Sequence, residues 1–399
     1  MRSRLALYVL LASLAHVGIA VGSYGALRLA KASNWPVFRG IDVPLVFADV
    51  PKFFEHANRA IHGQIPYRDD PIEYPPLALP FLFAPRLLTA RQSVFVVLFA
   101  TEMLVFDVML IWLVAKKVAN DEGIDRVPHR LAWLTAFFAG VAPFAMGRYD
   151  LIPAVFGFAS ACLWFGKRPA LGGVLSALGT LVKIAPGAVA VPGFVTDFVA
   201  KKRGWLGFVP TLVLGVATWF AVGGHGVIDS IRYHSGRGVE IGSIPAGILW
   251  IIAKSQGAPM HVIEDRQSLN LVTPLSDSVA SFGLPIQLLA MVFVAAMFAR
   301  NRLRDPLRFA GASVLAFAIT GKVLSPQYLL WILPFVAAIG ERAGKLARPV
   351  FLIACLATML LYPWNFGFLR ELEPFAMIIL NLRNLALLAT LLIMVRRST

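Results

Sequence analysis

The sequence predicts an all-α, polytopic transmembrane helix bundle, and three observations lead to this fold class. Of the 399 residues, 58% are apolar or aromatic, only 15% are charged, and the mean hydropathy is +0.72. A soluble domain carries about 25% charged residues. The 29 Phe and 9 Trp also exclude a disordered chain. We therefore expect one integral-membrane domain over residues 1–399, surrounded by a lipid bilayer.

The formal net charge of +15 comes largely from basic clusters between apolar runs. In these positions Lys and Arg act as topology anchors, so no nucleic-acid partner is predicted. Cys162 and Cys355 lie inside apolar segments, which argues against a disulfide framework or a structural zinc site. The sequence also lacks GxxxxGK[ST], GxGxxG and HExxH motifs. Nucleotide and zinc-protease chemistry therefore have no support.

The first apolar stretch runs from Leu5 to Leu27 behind Arg2 and Arg4, and we interpret it as a retained anchor. The later spans are placed by their basic flanks, which would face the cytoplasm together with both termini. This scheme gives about twelve spans, near residues 5–28, 92–115, 131–147, 151–166, 171–183, 185–200, 205–222, 279–299, 307–322, 328–340, 349–364 and 375–395.

Two of these spans are too short to cross a bilayer. Segments 171–183 and 185–200 would rise only about 20–24 Å at 1.5 Å per residue, against about 30 Å of hydrocarbon. We expect a broken hairpin packed among longer helices, because backbone breaks are tolerated where they line a cavity. The polar segments all fall on the outer side, so the chemistry is expected outside the cytoplasm; they are 30–91, 223–278, 322–327 and 365–374.

The first outer loop, residues 30–91, contains an amphipathic helical pattern after Asp49. Its apolar positions recur at helical spacing, and Gly63 supplies a stop. The pattern predicts an interfacial helix on the membrane surface. Asp49 could cap this helix through its side chain or act as a general base, and the two roles are compatible because a capping site also holds a carboxylate in position. The apolar stripe consists of Val50, Phe53, Phe54, Ala57 and Ile61.

Short motifs then follow one another over residues 45–390. The first group is Asp49-x-x-x-Phe53, Gly63-Gln64-x-Pro66-Tyr67-Arg68-Asp69 and Glu73-Tyr74-Pro75-Pro76-Leu77. The later group is Gly147-Arg148-Tyr149-Asp150, Leu181-Val182-Lys183-Ile184-Ala185-Pro186, Tyr233-His234-x-x-Arg237-Gly238-x-Glu240-x-x-Ser243, Lys322-x-x-Ser325-Pro326-Gln327-Tyr328-Leu329-Leu330-Trp331 and Leu382-Arg383-Asn384. This ordered set resembles the polyprenyl-phosphate-mannose-dependent α-1,2-mannosyltransferases of the glycosyltransferase C superfamily, the type that acts in bacterial phosphatidylinositol mannoside synthesis.

The resemblance implies an inverting glycosyltransferase in the bacterial cytoplasmic membrane, with its active site on the outer side. It would move a hexose, by resemblance mannose, from a polyprenyl-phosphate-linked donor to a hydroxyl of a lipid-anchored glycan. The chain departs from many relatives in having Phe53 in place of Tyr and Glu240-Ile241-Gly242-Ser243 in place of Gln-x-Glu-Ser. The alternative function is a transporter or flippase of lipid-linked sugars, since short, Gly- and Pro-interrupted helices also occur in transporters.

Such a transfer needs a carboxylate to accept the acceptor proton and cations to stabilise the departing phosphate. The resemblance points to Asp49 as the base. A divalent metal would help but is not required, and no metal ligands are assigned. The alternative carboxylates are Asp69, Asp70 and Glu73; the phosphate-binding candidates are His234, Arg237, Arg148, Lys183 and Lys322; and the substrate-binding candidates are Tyr67, Tyr74, Asp150, Glu240, Gln327 and Tyr328.

Several of these residues also have structural interpretations. Asp69 and Asp70 would be ordinary loop-turn residues, and Arg148, Lys183 and Lys322 would reach towards the interface from helix ends. Within the 92–115 span, Glu102 and Asp107 are expected to face the protein interior, in paired or functional positions. Trp331 and Trp364 fit interfacial anchors better than sugar-stacking platforms.

Overall fold

A computed structural model describes residues 2–396, and 76% of the chain is helical. Within these residues, six helices are long and apolar enough to cross a membrane. They support the predicted membrane class, since each carries an 18-residue window of high hydropathy. The six are Arg2–Ala32, Gln92–Asp121, Trp205–Gly223, Gly283–Arg300, Arg342–Trp364 and Pro374–Val395.

The first half of the chain runs through α1 Arg2–Ala32, α2 Val50–Ile61, α3 Leu79–Leu88, α4 Gln92–Asp121, α5 Val127–Ala139, α6 Ala142–Ala145, α7 Leu151–Trp164, α8 Pro169–Val182, α9 Ala190–Ala200 and α10 Trp205–Gly223. Short 3-10 turns at Pro36–Phe38, Pro44–Phe47, Pro76–Ala78, Ile124–Arg126 and Ala185–Val189 connect some of these helices. The proline that opens most of these turns cannot donate a backbone hydrogen bond, which favours a helix start.

The second half continues with α11 Gly226–Ser235, α12 Ile244–Gln256, β1 His261–Asp265, β2 Ser268–Val272, α13 Ser276–Ser281, α14 Gly283–Arg300, α15 Pro306–Thr320, α16 Leu333–Ala338, α17 Glu341–Met359, α18 Phe366–Arg370 and α19 Pro374–Val395. A 3-10 turn at Pro326–Trp331 precedes α16, and a π-helical turn at Leu360–Trp364 follows α17. Helix α15 is buried along most of its length and lies in the centre of the main core.

Long helices at the periphery expose their apolar side chains. Leu214 on α10 is 70% exposed, and Leu289 and Val292 on α14 are 68% and 65% exposed. Exposed apolar surface of this extent marks contact with another apolar phase. Both α10 and α14 belong to the helices that are long and apolar enough to cross a membrane.

The predicted helix of the first outer loop is present as α2, and Gly63 follows it with a φ of +93°. Val50, Phe53 and Ala57 are fully buried against the protein, and α2 packs on α3 and α4. The expectation that the apolar stripe faces the membrane surface is therefore wrong for these residues. An amphipathic pattern predicts a buried face but does not distinguish a protein surface from a lipid surface.

The predicted break between 171–183 and 185–200 is also present. Helix α8 ends at Val182, and the chain continues through Lys183 and Ile184 into the 3-10 turn Ala185–Val189 before α9 begins. Helix α8 packs between α7 and α10. The break lines a cavity, as expected for irregular backbone among long apolar helices.

The all-α prediction missed a β-hairpin in the second outer loop, residues 223–278. Strands β1 and β2 pair antiparallel, and Arg266 and Gln267 form the turn with φ values of +47° and +55°. Two-residue hairpin turns with positive φ usually contain Asn-Gly or another Gly pair, and these residues predict the turn from sequence. The Arg266-Gln267 turn contains no Gly. Residues 239–241 extend the hairpin through hydrogen bonds from Leu271 N–H to Val239 O and from Ile241 N–H to Leu269 O.

Candidate functional site

A cavity of about 570 Å³ lies where the outer loops meet the helix breaks. Its walls come from the Pro44–Phe47 turn, the start of α2, the 147–150 turn, the α8–α9 break, the second outer loop and the segment between α15 and α16. Most of the predicted site residues line it although they are distant in sequence: Asp49, Glu73, Tyr74, Arg148, Asp150, Lys183, His234, Arg237, Glu240, Lys322, Gln327 and Tyr328.

Asp49 precedes α2, but its side chain does not cap the helix as the structural interpretation expected. It instead forms an ion pair with Arg148, whose side chain is only 8% exposed, while that of Asp49 is 24% exposed. Burial opposes ionisation, but the Arg148 guanidinium outweighs it and lowers the pKa of Asp49. The carboxylate is therefore ionised and held in one orientation at neutral pH.

The 147–150 turn delivers Arg148 to this position because Gly147 permits a close backbone approach. A Cβ atom at residue 147 would collide with the carbonyl of Val46 and lie 3.2 Å from the Phe47 ring. The Arg148 guanidinium also donates to the Leu45 carbonyl at 2.7 Å. Two contacts to the segment before α2 thus fix the guanidinium beside Asp49.

Asp150 forms the second ion pair of the cavity. Its Oδ1 accepts hydrogen bonds from Lys183 Nζ at 2.7 Å and from Trp331 Nε1 at 2.8 Å. The Lys183 ammonium also lies 4.4 Å from the centroid of the Tyr149 ring. The interpretations of Lys183 as an interface-reaching side chain and of Trp331 as an interfacial anchor are therefore wrong, because both face the interior of the protein.

Glu73 and Arg237 form the third pair, with Arg237 Nη2 3.1 Å from Glu73 Oε2. Next to them, His234 Nε2 lies 2.7 Å from the Glu73 carbonyl oxygen. A carbonyl only accepts, so Nε2 carries the hydrogen. Desolvation and the nearby Arg237 lower the pKa of His234, so the ring is neutral at pH 7 with Nδ1 as an acceptor. Arg237 remains the cationic member of this pair of candidates.

The aromatic side chains of Tyr74 and Tyr149 line the cavity together with Asp49. The Tyr74 ring makes edge contacts with Phe53 and Tyr149 at centroid distances of 5.4 and 5.5 Å. Burial, with the carboxylates of Asp49 and Glu73, raises the pKa of Tyr74 well above its usual value. Its hydroxyl therefore stays protonated and can donate a hydrogen bond inside the cavity.

Lys322 lines the cavity with the guanidinium groups of Arg266 and Arg237 nearby. Lys322 Nζ donates to the Ser235 carbonyl at 2.7 Å, and the Arg266 guanidinium packs against Gly236. Desolvation, then Arg266 and Arg237, lower the pKa of Lys322. Cations that repel one another in this way favour binding of an anion. No motif pointed to Arg266, because its position depends on the unpredicted hairpin.

Lys52 is a further lining residue that the motifs did not identify. Its Nζ donates to Gln267 Oε1 at 2.5 Å, across 215 positions of sequence. This hydrogen bond joins the start of α2 to the hairpin turn. The first and second outer loops therefore meet over the cavity.

Glu240 lies in the strand-like segment beside β2. Its Oε2 accepts from the Leu324 backbone N–H at 3.1 Å, and its own N–H donates to the Lys322 carbonyl at 2.9 Å. Burial raises the pKa of this carboxyl to about 6, even though backbone amides and Arg383 favour the ionised form. A buried carboxylate thus lines the cavity.

Three predicted residues lie outside the cavity lining. Asp70 is buried and bonded to His56 Nδ1 at 2.6 Å and to Arg59 Nη1 at 2.5 Å. Asp69 accepts from the Ile65 N–H at 2.8 Å, as a loop-turn residue does. Tyr67 donates its hydroxyl to the Tyr74 carbonyl at 2.7 Å. Their contacts shape the first outer loop that carries Glu73 and Tyr74.

The acidic residues of α4 are separate from the cavity. Asp107 is buried with both carboxylate oxygens 3.0 Å from His16 Nδ1 of α1, and His16 Nε2 lies 3.1 Å from Thr135 Oγ1 of α5. Asp107 therefore has the structural partner that the alternative interpretation expected. Glu102 Oε2 is buried with no hydrogen-bond partner among residues 2–396.

The described part of the chain has no group of three or more His, Cys, Asp or Glu side chains arranged to hold a metal ion. The arrangement supplies an ionised carboxylate, clustered cations and an aromatic wall around one space. Comparison of the chain with protein-family models, with curated proteins and with solved structures found no match.

Proposed function

We propose that this protein is an integral-membrane, inverting glycosyltransferase of the C type. It transfers a hexose, by resemblance mannose, from a polyprenyl phosphate carrier to a hydroxyl of a lipid-linked glycan on the outer face of the cytoplasmic membrane. One observation carries the proposal. The ionised Asp49 lines the same cavity as the cations Arg237 and Lys322, beside helices with exposed apolar faces.

In the proposed reaction, Asp49 accepts the proton of the acceptor hydroxyl while the oxygen of that hydroxyl bonds to the anomeric carbon. The bond from the anomeric carbon to the phosphate oxygen breaks, and the electron pair leaves with the polyprenyl phosphate. Arg148 keeps Asp49 ionised and oriented before the acceptor binds. Attack opposite the leaving group inverts the anomeric centre, so a β-linked donor gives an α-glycoside.

The departing phosphate needs positive charge that carboxylates do not already neutralise. Arg148 and Lys183 are each paired with an aspartate, so we assign them to positioning. Lys322 donates to the Ser235 carbonyl and forms no ion pair with a carboxylate among residues 2–396, so it is the centre of the proposed phosphate site. Arg237, paired with Glu73, and Arg266, paired with Asp265, lie nearby and contribute further donors. Arg can offer several donors to phosphate oxygens, whereas Lys offers one compact charge.

The proposed topology retains about twelve spans of the glycosyltransferase C type, with both termini in the cytoplasm. In this proposed topology the α8–α9 break and the outer loops lie at the outer side of the bilayer, and the cavity that they line lies there too. The lipid chain of the donor would lie along the exposed apolar faces of the neighbouring helices. The water-soluble part of the donor would enter the polar cavity.

The test is a transfer assay on the purified protein in nanodiscs, with labelled polyprenyl-phosphate-mannose and a membrane glycolipid extract. Asp49→Asn should abolish transfer, because the amide cannot accept the proton. Asp69→Asn is the matched control, since Asn retains an acceptor oxygen for the Ile65 N–H. Equal folding of both variants is checked by thermal unfolding.

Near-normal transfer by Asp49→Asn would refute Asp49 as the base. Transfer of another sugar, but not mannose, would keep the mechanism and change the donor. If no polyprenyl-phosphate sugar is transferred, the glycosyltransferase assignment fails. Movement of an intact labelled lipid-linked sugar across the bilayer would then support the flippase alternative.

A further inference from the structure

Glu240 and Tyr362 approach each other in one corner of the cavity, next to Gly242. A Cβ atom at this residue would lie 3.0 and 3.1 Å from the two carboxylate oxygens of Glu240 and would collide with the Tyr362 hydroxyl. Glu240 and Tyr362 both line the cavity. The absence of a side chain at residue 242 therefore lets a hydroxyl donor and a carboxylate acceptor share one corner.

The Tyr362 hydroxyl is buried and has no hydrogen-bond partner within residues 2–396. The tyrosine as a whole is 2% exposed and interrupts the turn after α17 with extended backbone dihedrals. A buried hydroxyl that lacks a partner destabilises the protein relative to phenylalanine. Its position in the wall of a cavity is explained if a ligand supplies the partner.

Glu240 complements this hydroxyl. The Leu324 N–H donates to one of its carboxylate oxygens, and the Gly242 backbone amide also favours the ionised form. These backbone groups hold the carboxylate while leaving lone pairs available for further donors. Glu240 is 9% exposed, so a ligand that reaches it is largely removed from water.

Arg383 contacts the Gly242 carbonyl from outside the cavity lining. It is fully buried in α19, donates to the Gly242 carbonyl, and has no hydrogen-bond partner for Nε or Nη1 in the described part of the chain. Its positive charge favours ionisation of Glu240. Since Arg383 does not line the cavity, it acts through Gly242 and Glu240 as a positioning residue.

We propose that Glu240 and Tyr362 form a hydroxyl-recognition subsite that selects the sugar ligand of this cavity. A sugar hydroxyl would donate to the Glu240 carboxylate and accept from the Tyr362 hydroxyl, satisfying both groups. The inference rests on the proposed function and makes it more specific. The sugar could belong to the donor or to the acceptor glycan, and the chemistry of recognition is the same for both.

The test uses Tyr362→Phe and Glu240→Gln in the nanodisc transfer assay. Tyr362→Phe removes only the hydroxyl, and since that hydroxyl has no hydrogen-bond partner among residues 2–396, thermal stability should be unchanged or raised. Tyr8→Phe in α1 is the matched control, because Tyr8 is half-buried outside the cavity lining. Glu240→Gln keeps an acceptor for the Leu324 N–H but removes the charge.

Monodeoxy analogues then identify the ligand. One arm varies the sugar of polyprenyl-phosphate-mannose, and the other varies octyl α-mannoside as the acceptor. The wild type should disfavour the analogue that lacks the recognised hydroxyl by roughly 10- to 100-fold in kcat/KM, the range for a hydrogen bond to a charged group. This discrimination should fall to about 3-fold or less in Glu240→Gln and weaken in Tyr362→Phe. If the variants lose discrimination among donor analogues, the recognised hydroxyl belongs to the donor sugar. If they lose discrimination among acceptor analogues, it belongs to the acceptor.

Transfer by the wild type with the same discrimination in both variants would overturn the subsite and leave the enzyme assignment intact. Absence of transfer by the wild type would refute the enzyme assignment instead. In that case, binding of octyl α-mannoside is measured by thermal shift in the wild type and Glu240→Gln. Equal shifts, or none, would overturn the subsite as well.

Discussion

Removal of the Arg148 guanidinium should alter both the stability of the protein and the titration of Asp49. Arg148→Gln deletes the ion pair with Asp49 and the hydrogen bond to the Leu45 carbonyl. The carboxylate would stay in a largely buried position without its main counter-charge. Arg148→Lys is the matched variant, because it retains the charge but loses the planar fork of donors.

The size of the effect follows from burial. Removing one partner of a buried ion pair costs about 3–5 kcal/mol, mainly because the other charge is left uncompensated. The Asp49 side chain is 24% exposed to the cavity, and Lys52 and Lys183 also favour its ionised form. We therefore expect the lower end of the range, about 3 kcal/mol, for Arg148→Gln. Arg148→Lys should lose less.

The pH dependence has a defined sign. Arg148 lowers the pKa of Asp49 below its usual value, so the wild-type carboxylate becomes protonated only when the pH falls below the ordinary range for Asp. The stability that the pair contributes is present above the unfolded pKa and is lost as the pH falls through the folded pKa. In Arg148→Gln burial remains, so the acid limb of kcat/KM should move to higher pH.

Unfolding free energies from SDS titration in mixed micelles, and pH profiles of transfer, measure these effects. A double-mutant cycle with Asp49→Asn isolates the pair, since the double variant no longer contains an isolated charge at this position. The double variant should lose less unfolding free energy than the sum of the losses in the two single variants. Strict additivity, or an unmoved acid limb in Arg148→Gln, would refute the proposed coupling of Arg148 to Asp49.

Three further outcomes are expected. Gly147→Ala should destabilise the protein by about 1–3 kcal/mol, because the new Cβ meets the Val46 backbone; unchanged thermal unfolding would contradict this. Asp107→Asn should lower stability by about 1–3 kcal/mol through loss of its charged contact with His16, while kcat per folded molecule stays the same. Burial raises the pKa of Glu240 to about 6. An infrared titration should therefore show the C=O stretching band of a protonated carboxyl appearing as the pH falls below about 6, and Glu240→Gln should lack this band.

The sequence by itself determined the class of the protein and the positions of most of its helices. Hydropathy is a property of segments, so long apolar helices and the break at Lys183 were predictable from composition and length. The 3.6-residue periodicity likewise predicted α2 and its end just before Gly63. Ordered motifs also identified Asp49, Glu73, Arg237 and other residues that line the cavity.

Only the tertiary structure decided what those residues contact. Arg148 and Asp49 are 99 positions apart, and their pairing depends on the approach of Gly147 to the turn before α2. Asp70 was equivalent to Asp49 as a carboxylate in the sequence, but the fold buries it against His56 and Arg59. Whether a charged side chain is paired or free to meet a ligand is set by distances and burial across the chain, because electrostatic energies depend on both. Local sequence contains neither quantity.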